Sequence, residues 1–209
     1  MDTAGPDAFA QAVGATAKRQ EDLEIFRVML VAANQTMNLV GASTLGDFWN
    51  RHVVDSAQLL CFAPQARVWA DLGTGGGLPG LVLAILLKDR PGSRVHLIES
   101  VAKRCRFLAS VAAKLGLPIE IHNARAESLR LRVQMVTARA CAPLERLMGF
   151  AEPYFALGAH GLFLKGETAD AEIERAEKRW RFSARVHPSL SDPRGRVVSI
   201  ERLSRRGAG

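Results

Sequence analysis

The chain has 209 residues, 48% hydrophobic and 23% charged, enough to bury a core of its own as one globular domain with room for an extension. Lys and Arg outnumber Asp and Glu by 28 to 21, and the net charge of +7 favours a polyanionic partner such as nucleic acid over an acidic protein or a neutral metabolite. No apolar run reaches membrane-spanning length and the opening Met1-Asp2-Thr3-Ala4-Gly5-Pro6 lacks a signal peptide's basic start and apolar stretch, so a cytoplasmic protein without membrane contact is expected.

Within residues 21–37, Leu23, Phe26, Leu30, Ala33 and Met37 recur at spacings of three and four, which is one apolar stripe on a helix. Asn38-Leu39-Val40-Gly41 reads as a turn, and residues 45–60 as a second helix with Trp49, Val53, Ala57 and Leu60 inward. On that helix Arg51, His52 and Asp55 share one side of about one turn, a cluster that an intrahelical salt bridge would also explain. Residues 1–66 are therefore expected to form a helical extension, a lid or platform ahead of a core at 67–209. Cys61, Cys105 and Cys141 are far apart and lack C-x-x-C or neighbouring His spacing. They read as buried thiols of a reducing compartment, with no disulfide framework and no metal expected.

The rest of the chain is organised around Val68-Trp69-Ala70-Asp71-Leu72-Gly73-Thr74-Gly75-Gly76-Gly77-Leu78-Pro79-Gly80. An apolar run delivers Asp71 into a glycine loop, and an apolar helix over 81–87 follows. Glycines let such a loop turn tightly and let a ligand lie against bare amides at a helix N-terminus. Gly75, Gly77 and Gly80 satisfy the dinucleotide pattern G-x-G-x-x-G. Asp71, Gly73, Gly75 and Gly77 satisfy the acid-x-G-x-G-x-G pattern of S-adenosylmethionine (SAM) methyltransferases, and this second match is fuller. A carboxylate beside a pyrophosphate would repel it, whereas SAM carries a sulfonium and an ammonium that Asp71 can help place, directly or through water. The loop reads as a methyl-donor site. A ligand-free surface turn would explain Gly and Pro but not the order acid, glycines, helix.

Residues 94–99 form a second strand ending in Glu99, whose two carboxylate oxygens match the two hydroxyls of a ribose. A helix follows from Lys103, with Phe107, Leu108, Val111 and Leu115 inward and Gly116 closing it. Residues 118–122 read as a third strand, and Asn123-Ala124-Arg125-Ala126-Glu127 as the loop where an adenine would lie. A fourth strand at 133–137 runs into Ala138-Arg139-Ala140-Cys141-Ala142-Pro143, with a helix from Leu144. A fifth strand at 161–166, a charged helix at 172–180 and a terminal β pair at 181–186 and 196–203 complete the chain, with a polar tail from Arg205. Strands alternating with helices predict a mostly parallel sheet with right-handed crossovers.

With these pieces in order, the sequence resembles the small-subunit ribosomal RNA guanine-N7 methyltransferases, the RsmG or GidB family. The likeness is carried by Asn38-Leu39 with Arg51-His52-Val53-Val54-Asp55-Ser56, by the glycine loop, by Ser100-Val101-Ala102-Lys103-Arg104-Cys105-Arg106-Phe107-Leu108, and by Arg139-Ala140 with Leu164-Lys165-Gly166. The glycine loop alone would name only a superfamily, and the Arg-His-x-x-Asp-Ser block narrows it. The resemblance implies a class I SAM-dependent methyltransferase fold, Rossmann-like with a mostly parallel seven-stranded sheet. It implies donor contacts from Gly73, Leu78, Ala126, Glu127 and Arg139, with Glu99 at the ribose position. The implied substrate is 16S rRNA of the small ribosomal subunit, at the 530-loop guanine, position 527; a monomer is expected. Two positions depart from the family pattern: Gly76 stands where proline is common, which should loosen the loop, and Cys141 where an aromatic is common. The match weakens beyond Glu167.

Guanine N7 is an unprotonated lone pair, so it can attack a sulfonium methyl without a general base. The chain also lacks the Asn/Asp-Pro-Pro-aromatic tetrad that enzymes methylating exocyclic amines carry after the fourth strand. What remains for the protein is in-line approach, an orientation effect of up to roughly 10 kcal/mol. Asn38, Arg51, His52, Asp55, Arg139 and Lys165 are expected to gather over the donor methyl, cations on the phosphates and polar groups on the base edge. Rival readings are a non-catalytic rRNA-binding module, a methyltransferase of another RNA, a protein or a small molecule, a cytosine-C5 enzyme with Cys141 as nucleophile, and an NAD-dependent enzyme. The cytosine-C5 reading lacks the second motif cysteine, and Asp71 opposes the NAD reading.

Overall fold

The structure, a computed structural model, describes residues 16–207. The Met1–Pro6 opening and the last two residues of the polar tail lie outside the described residues. The stripe of residues 21–37 folds as helix α1, Ala17–Met37. Leu23, Phe26 and Leu30 on it are fully buried. Thr16 caps its start by accepting from the Arg19 N–H, and Asn38 ends it in the left-handed conformation at φ 46°. Asn34, buried on the same helix, accepts the Val40 N–H at 2.9 Å and so fixes the turn that leaves it.

The single helix expected over 45–60 is instead broken. A 3-10 turn, Ala42–Asp47, leads into a π-helical turn, Trp49–Val54, and then into two short α turns, Asp55–Ala57 and Leu59–Phe62. A π turn adds a residue per turn and rotates everything after it. The inward set is accordingly Phe48, Val53, Ala57 and Leu59, while Trp49 and Leu60 are only partly covered. Phe48 packs edge-on against Phe26 of α1 at a centroid distance of 6.0 Å.

Seven strands form one sheet: β1 Val68–Leu72, β2 Arg94–Ile98, β3 Ile119–His122, β4 Met135–Arg139, β5 His160–Lys165, β6 Trp180–Pro188 and β7 Arg196–Arg205. Their order is β3-β2-β1-β4-β5-β7-β6, the first five parallel and β7 antiparallel to both its neighbours. The connecting helices are α2 Gly80–Leu87, α3 Ala102–Leu115, α4 Leu144–Phe155 and α5 Ala169–Glu177. Strand alternation sends Trp69, Val95 and Leu97 to the face covered by α1, α2 and α3, and Ala70, Leu72 and Ile98 to the face covered by α4 and α5. Because α1 residues and sheet residues share one apolar cluster, the extension and the sheet are packed as one body.

Three boundaries differ from expectation. β4 begins and ends two residues later than read, so Arg139 closes the strand instead of following it. The charged helix starts at Ala169 and ends before Trp180, which opens β6. The polar tail is strand as far as Arg205, whose guanidinium holds the Glu152 carboxylate at 2.8 Å. The cysteines are not uniformly buried either: Cys61 is exposed and Cys141 half-buried, leaving Cys105 as the buried thiol.

Candidate active site

The turn after β1 is held together by carboxylates. Asp71 is fully buried, and its Oδ2 accepts the Thr74 hydroxyl and, at 2.8 Å, the Gly80 N–H that opens α2. Burial pushes its carboxyl up to about 6, against the lowering effect of those two bonds. Its Oδ1 has no partner. Glu99, at the end of β2, accepts the Gly75 N–H at 3.1 Å and the Val101 N–H at 2.8 Å. Gly77 sits at φ 90°, where a Cβ would also run into the Leu81 side chain. At Gly76 a Cβ would stand 3.2 Å from Leu39 Cβ and 3.3 Å from Leu30 Cδ1, so the small residue here lets the loop seat against the extension.

A cavity of about 1150 Å³ opens at the C-terminal ends of β1, β4 and β5, roofed by the turn after α1 and the π-helical turn. The fold places Asn38, Arg51, His52, Asp55, Arg139 and Lys165 in its wall, together with Gly73, Gly75 and Leu78 of the loop. Asp71, Gly77, Glu99, Ala126 and Glu127 are not in that wall. Asp71 lies beneath the loop and organises it from below. Glu99 stands behind Gly75. Ala126 is buried, its carbonyl accepting the Tyr154 hydroxyl at 2.9 Å, and Glu127 is exposed beside it.

Arg139 is the hinge of the polar wall. Its Nη1 donates to the Arg51 carbonyl at 2.9 Å and to Asp55 Oδ2 at 3.3 Å, and its Nη2 donates to His52 Nδ1 at 3.0 Å. With Nδ1 accepting, the His52 proton sits on Nε2 and is donated to Thr44 Oγ1 at 2.9 Å, which in turn donates to the Gly41 carbonyl at 2.7 Å. Burial, then Arg139 and Arg51, hold His52 down at about 3, so the ring is neutral at physiological pH. Lys165 Nζ donates to the Ala142 carbonyl and to Glu172 Oε2, both at 2.8 Å, and Arg51 pairs with Asp192. In place of an intrahelical Arg51–Asp55 bridge there are two longer-range pairs, Arg51 with Asp192 and Asp55 with Arg139. Each of these three cations faces the cavity already partnered by a carboxylate.

The sequence reading missed the connection between β6 and β7. Ser191 Oγ donates to Asp55 Oδ1 at 2.6 Å, the Leu190 N–H donates to Gln58 Oε1 at 2.9 Å, and Asn50 Nδ2 donates to the Ser191 carbonyl at 2.8 Å. These partners are 132 to 141 positions apart in sequence, and no local pattern announces them. Cys141 lines the cavity beside Gly73, but burial, then Asp71 and Glu99, push its thiol up, which disfavours a nucleophilic thiolate.

The amides that would cradle a pyrophosphate are in use: Gly75 donates to Glu99 and Gly80 to Asp71. A loop whose donors are satisfied by two carboxylates suits a ligand carrying a cation and a diol, not one carrying phosphates. These residues fit SAM better than a dinucleotide.

The family model described as rRNA small subunit methyltransferase G, GidB, matches residues 19–196. The chain is 57% identical over 205 residues to Ribosomal RNA small subunit methyltransferase G of Caulobacter vibrioides, covering 98% of this chain and 94% of that one. It is 44% identical over 186 residues to the protein of the same name from Methylorubrum populi, covering 88% of each. Among solved structures, a SAM-dependent methyltransferase from Aquifex aeolicus matches with TM-score 0.56 over 78% of this chain and 95% of that one, at 16% identity, a likeness of fold. With one family model spanning most of its length, and relatives this similar along nearly all of it, the chain belongs to the rRNA small subunit methyltransferase G (GidB) family.

Proposed function

We propose that this chain transfers the methyl group of SAM to N7 of a guanine in 16S rRNA, the 530-loop guanine at position 527, acting as a cytoplasmic monomer on the small ribosomal subunit. That it is a SAM-dependent rRNA methyltransferase follows from its family; the acceptor atom, the target base and the residue roles are the proposal. The observation that carries it is that the ionisable proton acceptors of the cavity wall described above are engaged. The His52 Nδ1 lone pair is taken by Arg139, Asp55 by Arg139 and Ser191, Asp192 by Arg51, and Glu172 by Lys165 and the Leu144 N–H, while burial raises the Cys141 thiol and keeps it protonated. A cavity without a free base suits an acceptor that has no proton to lose, which is the property of guanine N7.

Bound SAM supplies an electrophilic methyl on a sulfonium. The chain supplies the rest by placement. Gly73, Gly75 and Leu78 form the floor on which the donor lies, with Glu99 behind Gly75 as the ribose acceptor and Ala126 and Glu127 at the adenine end. Arg139 ties the extension to the end of β4 and so sets the distance between that floor and Asn38, His52 and Asp55 above it. Residues 1–66 act as the platform for RNA, and 67–209 as the methyl-transfer core. Among the described residues no helix is long and apolar enough to cross a membrane, and the net charge of +7 draws the chain to RNA.

The test is methyl transfer from labelled SAM to small subunits isolated from cells lacking this gene, followed by nucleoside mass analysis. Labelled 7-methylguanosine in 16S rRNA is the expected product. Label in another nucleoside overturns the acceptor atom, and donor binding without labelled RNA overturns the substrate.

A further inference from the structure

The open edge of the sheet carries a second polar cluster, away from the cavity wall. β2 and β3 pair with His96 opposite Glu120 and Ile98 opposite His122, so period-two alternation puts His96, Glu120 and His122 on one face. His96 Nδ1 and His122 Nε2 face each other at 3.0 Å. Glu120 brings Oε2 to 3.6 Å from the first nitrogen and Oε1 to 3.8 Å from the second. We propose that these three side chains bind one divalent transition-metal ion of the zinc type, with solvent completing its coordination.

Two imidazoles and a carboxylate are the borderline donor set that such ions prefer. Zinc bonds of about 2.0–2.2 Å in a tetrahedral arrangement space neighbouring ligand atoms by about 3.3–3.6 Å. The two rings, 3.0 Å apart, need to separate by only a few tenths of an ångström; Glu120 approaches them with different oxygens, and one ligand atom from each residue can be chosen with all three within 4.8 Å of one another, so the carboxylate must swing further to place a single oxygen on the ion. His96 is 7% exposed and His122 half-buried, so the ring positions are fixed by the sheet, while Glu120 is exposed and free to adjust. The ion must displace the hydrogen bond between the two rings as well as Arg94, whose Nη1 stands 3.4 Å from Glu120 Oε2 in an exposed pair worth little to stability.

The placement gives the ion a structural task. The His122 carbonyl accepts the Glu99 N–H at 3.1 Å, and Asn123 Nδ2 donates to the Glu99 carbonyl at 3.0 Å. An ion pinned at His122 therefore fastens the edge strand, which has a neighbour on one side only, directly before the Asn123–Glu127 loop.

Calorimetric titration of the untagged, chelator-stripped full chain with zinc chloride tests this, with cobalt(II) as the spectroscopic probe. The expected result is one equivalent bound with micromolar affinity, a raised Tm, and visible cobalt bands without thiolate charge-transfer absorption. His122→Ala and Glu120→Ala keep the wild-type circular dichroism and each weaken binding at least about tenfold. Absence of stoichiometric binding, affinity unchanged in both variants, or a thiolate band placing the ion on a cysteine would overturn the proposal.

Discussion

Arg139 joins the carbonyl of Arg51, the carboxylate of Asp55 and the ring of His52 through one planar guanidinium, and on the proposed function that geometry, more than its charge, positions the substrate wall. An ammonium cannot span three acceptors in a plane. Arg139→Lys is therefore expected to lower methyl transfer about 100-fold by misplacing the substrate wall, with far-UV circular dichroism unchanged. Near-normal turnover would remove Arg139 from the site. Two buried groups give opposite pH signatures. Asp71 is raised to about 6 in the fold, so its contribution is full below the unfolded carboxyl value of 3.8 and is lost as pH rises through about 6. Asp71→Asn removes that dependence. The stability of wild type relative to the variant should fall between pH 4.5 and 7.5 by about 2 kcal/mol, read by chemical denaturation. His52 is lowered to about 3, so its contribution is present above the unfolded value of 6.5 and is lost as pH falls toward about 3.

At the scale of the element, the glycine loop and the β6–β7 connection are held by different forces and should fail differently. Gly77 combines φ 90° with a side-chain clash against Leu81, so Gly77→Ala is expected to cost about 3 kcal/mol in unfolding free energy. A loss below about 1 kcal/mol would mean that the loop relaxes freely. Asp192 anchors Arg51 across the mouth of the cavity. In Asp192→Ala the Arg51 guanidinium is released to solvent and RNA; the expected outcome is a changed KM for small subunits with an unchanged SAM dissociation constant by calorimetry. The π-helical turn belongs to this scale as well, because its extra residue turns His52 inward to Arg139 while Arg51 points outward to Asp192.

At the scale of the whole molecule, a net charge of +7 and cavity cations already paired by carboxylates separate two roles. On the proposed function, attraction to RNA comes from the surface at large and the cavity supplies orientation. The KM for small subunits should then rise about tenfold or more between roughly 50 and 200 mM salt while donor affinity stays level, a difference that filter binding and calorimetry can read.

The fold was largely legible because each of its main signals is local. Residues 68–80 spell strand, acid, glycine loop and helix in sequence, and the three-and-four spacing of Leu23, Phe26 and Leu30 spells one buried helix face. The parallel sheet follows from alternation of such units, and the candidate wall residues Asn38, Arg51, His52, Asp55, Arg139 and Lys165 were all nameable because their motifs are short. The sequence alone therefore determined most of the elements, the glycine loop and the list of polar residues, but not the broken helix at 42–62. The tertiary structure decided who partners whom. It buried Asp71 under the loop, gave Arg51 to Asp192 and Asp55 to Arg139 and Ser191, closed Lys165 on Glu172, and set His96 beside His122 on the sheet edge. Side-chain pairing across 132 to 141 positions depends on a π turn, a strand register and a hairpin connection acting together, and no window of sequence contains all three.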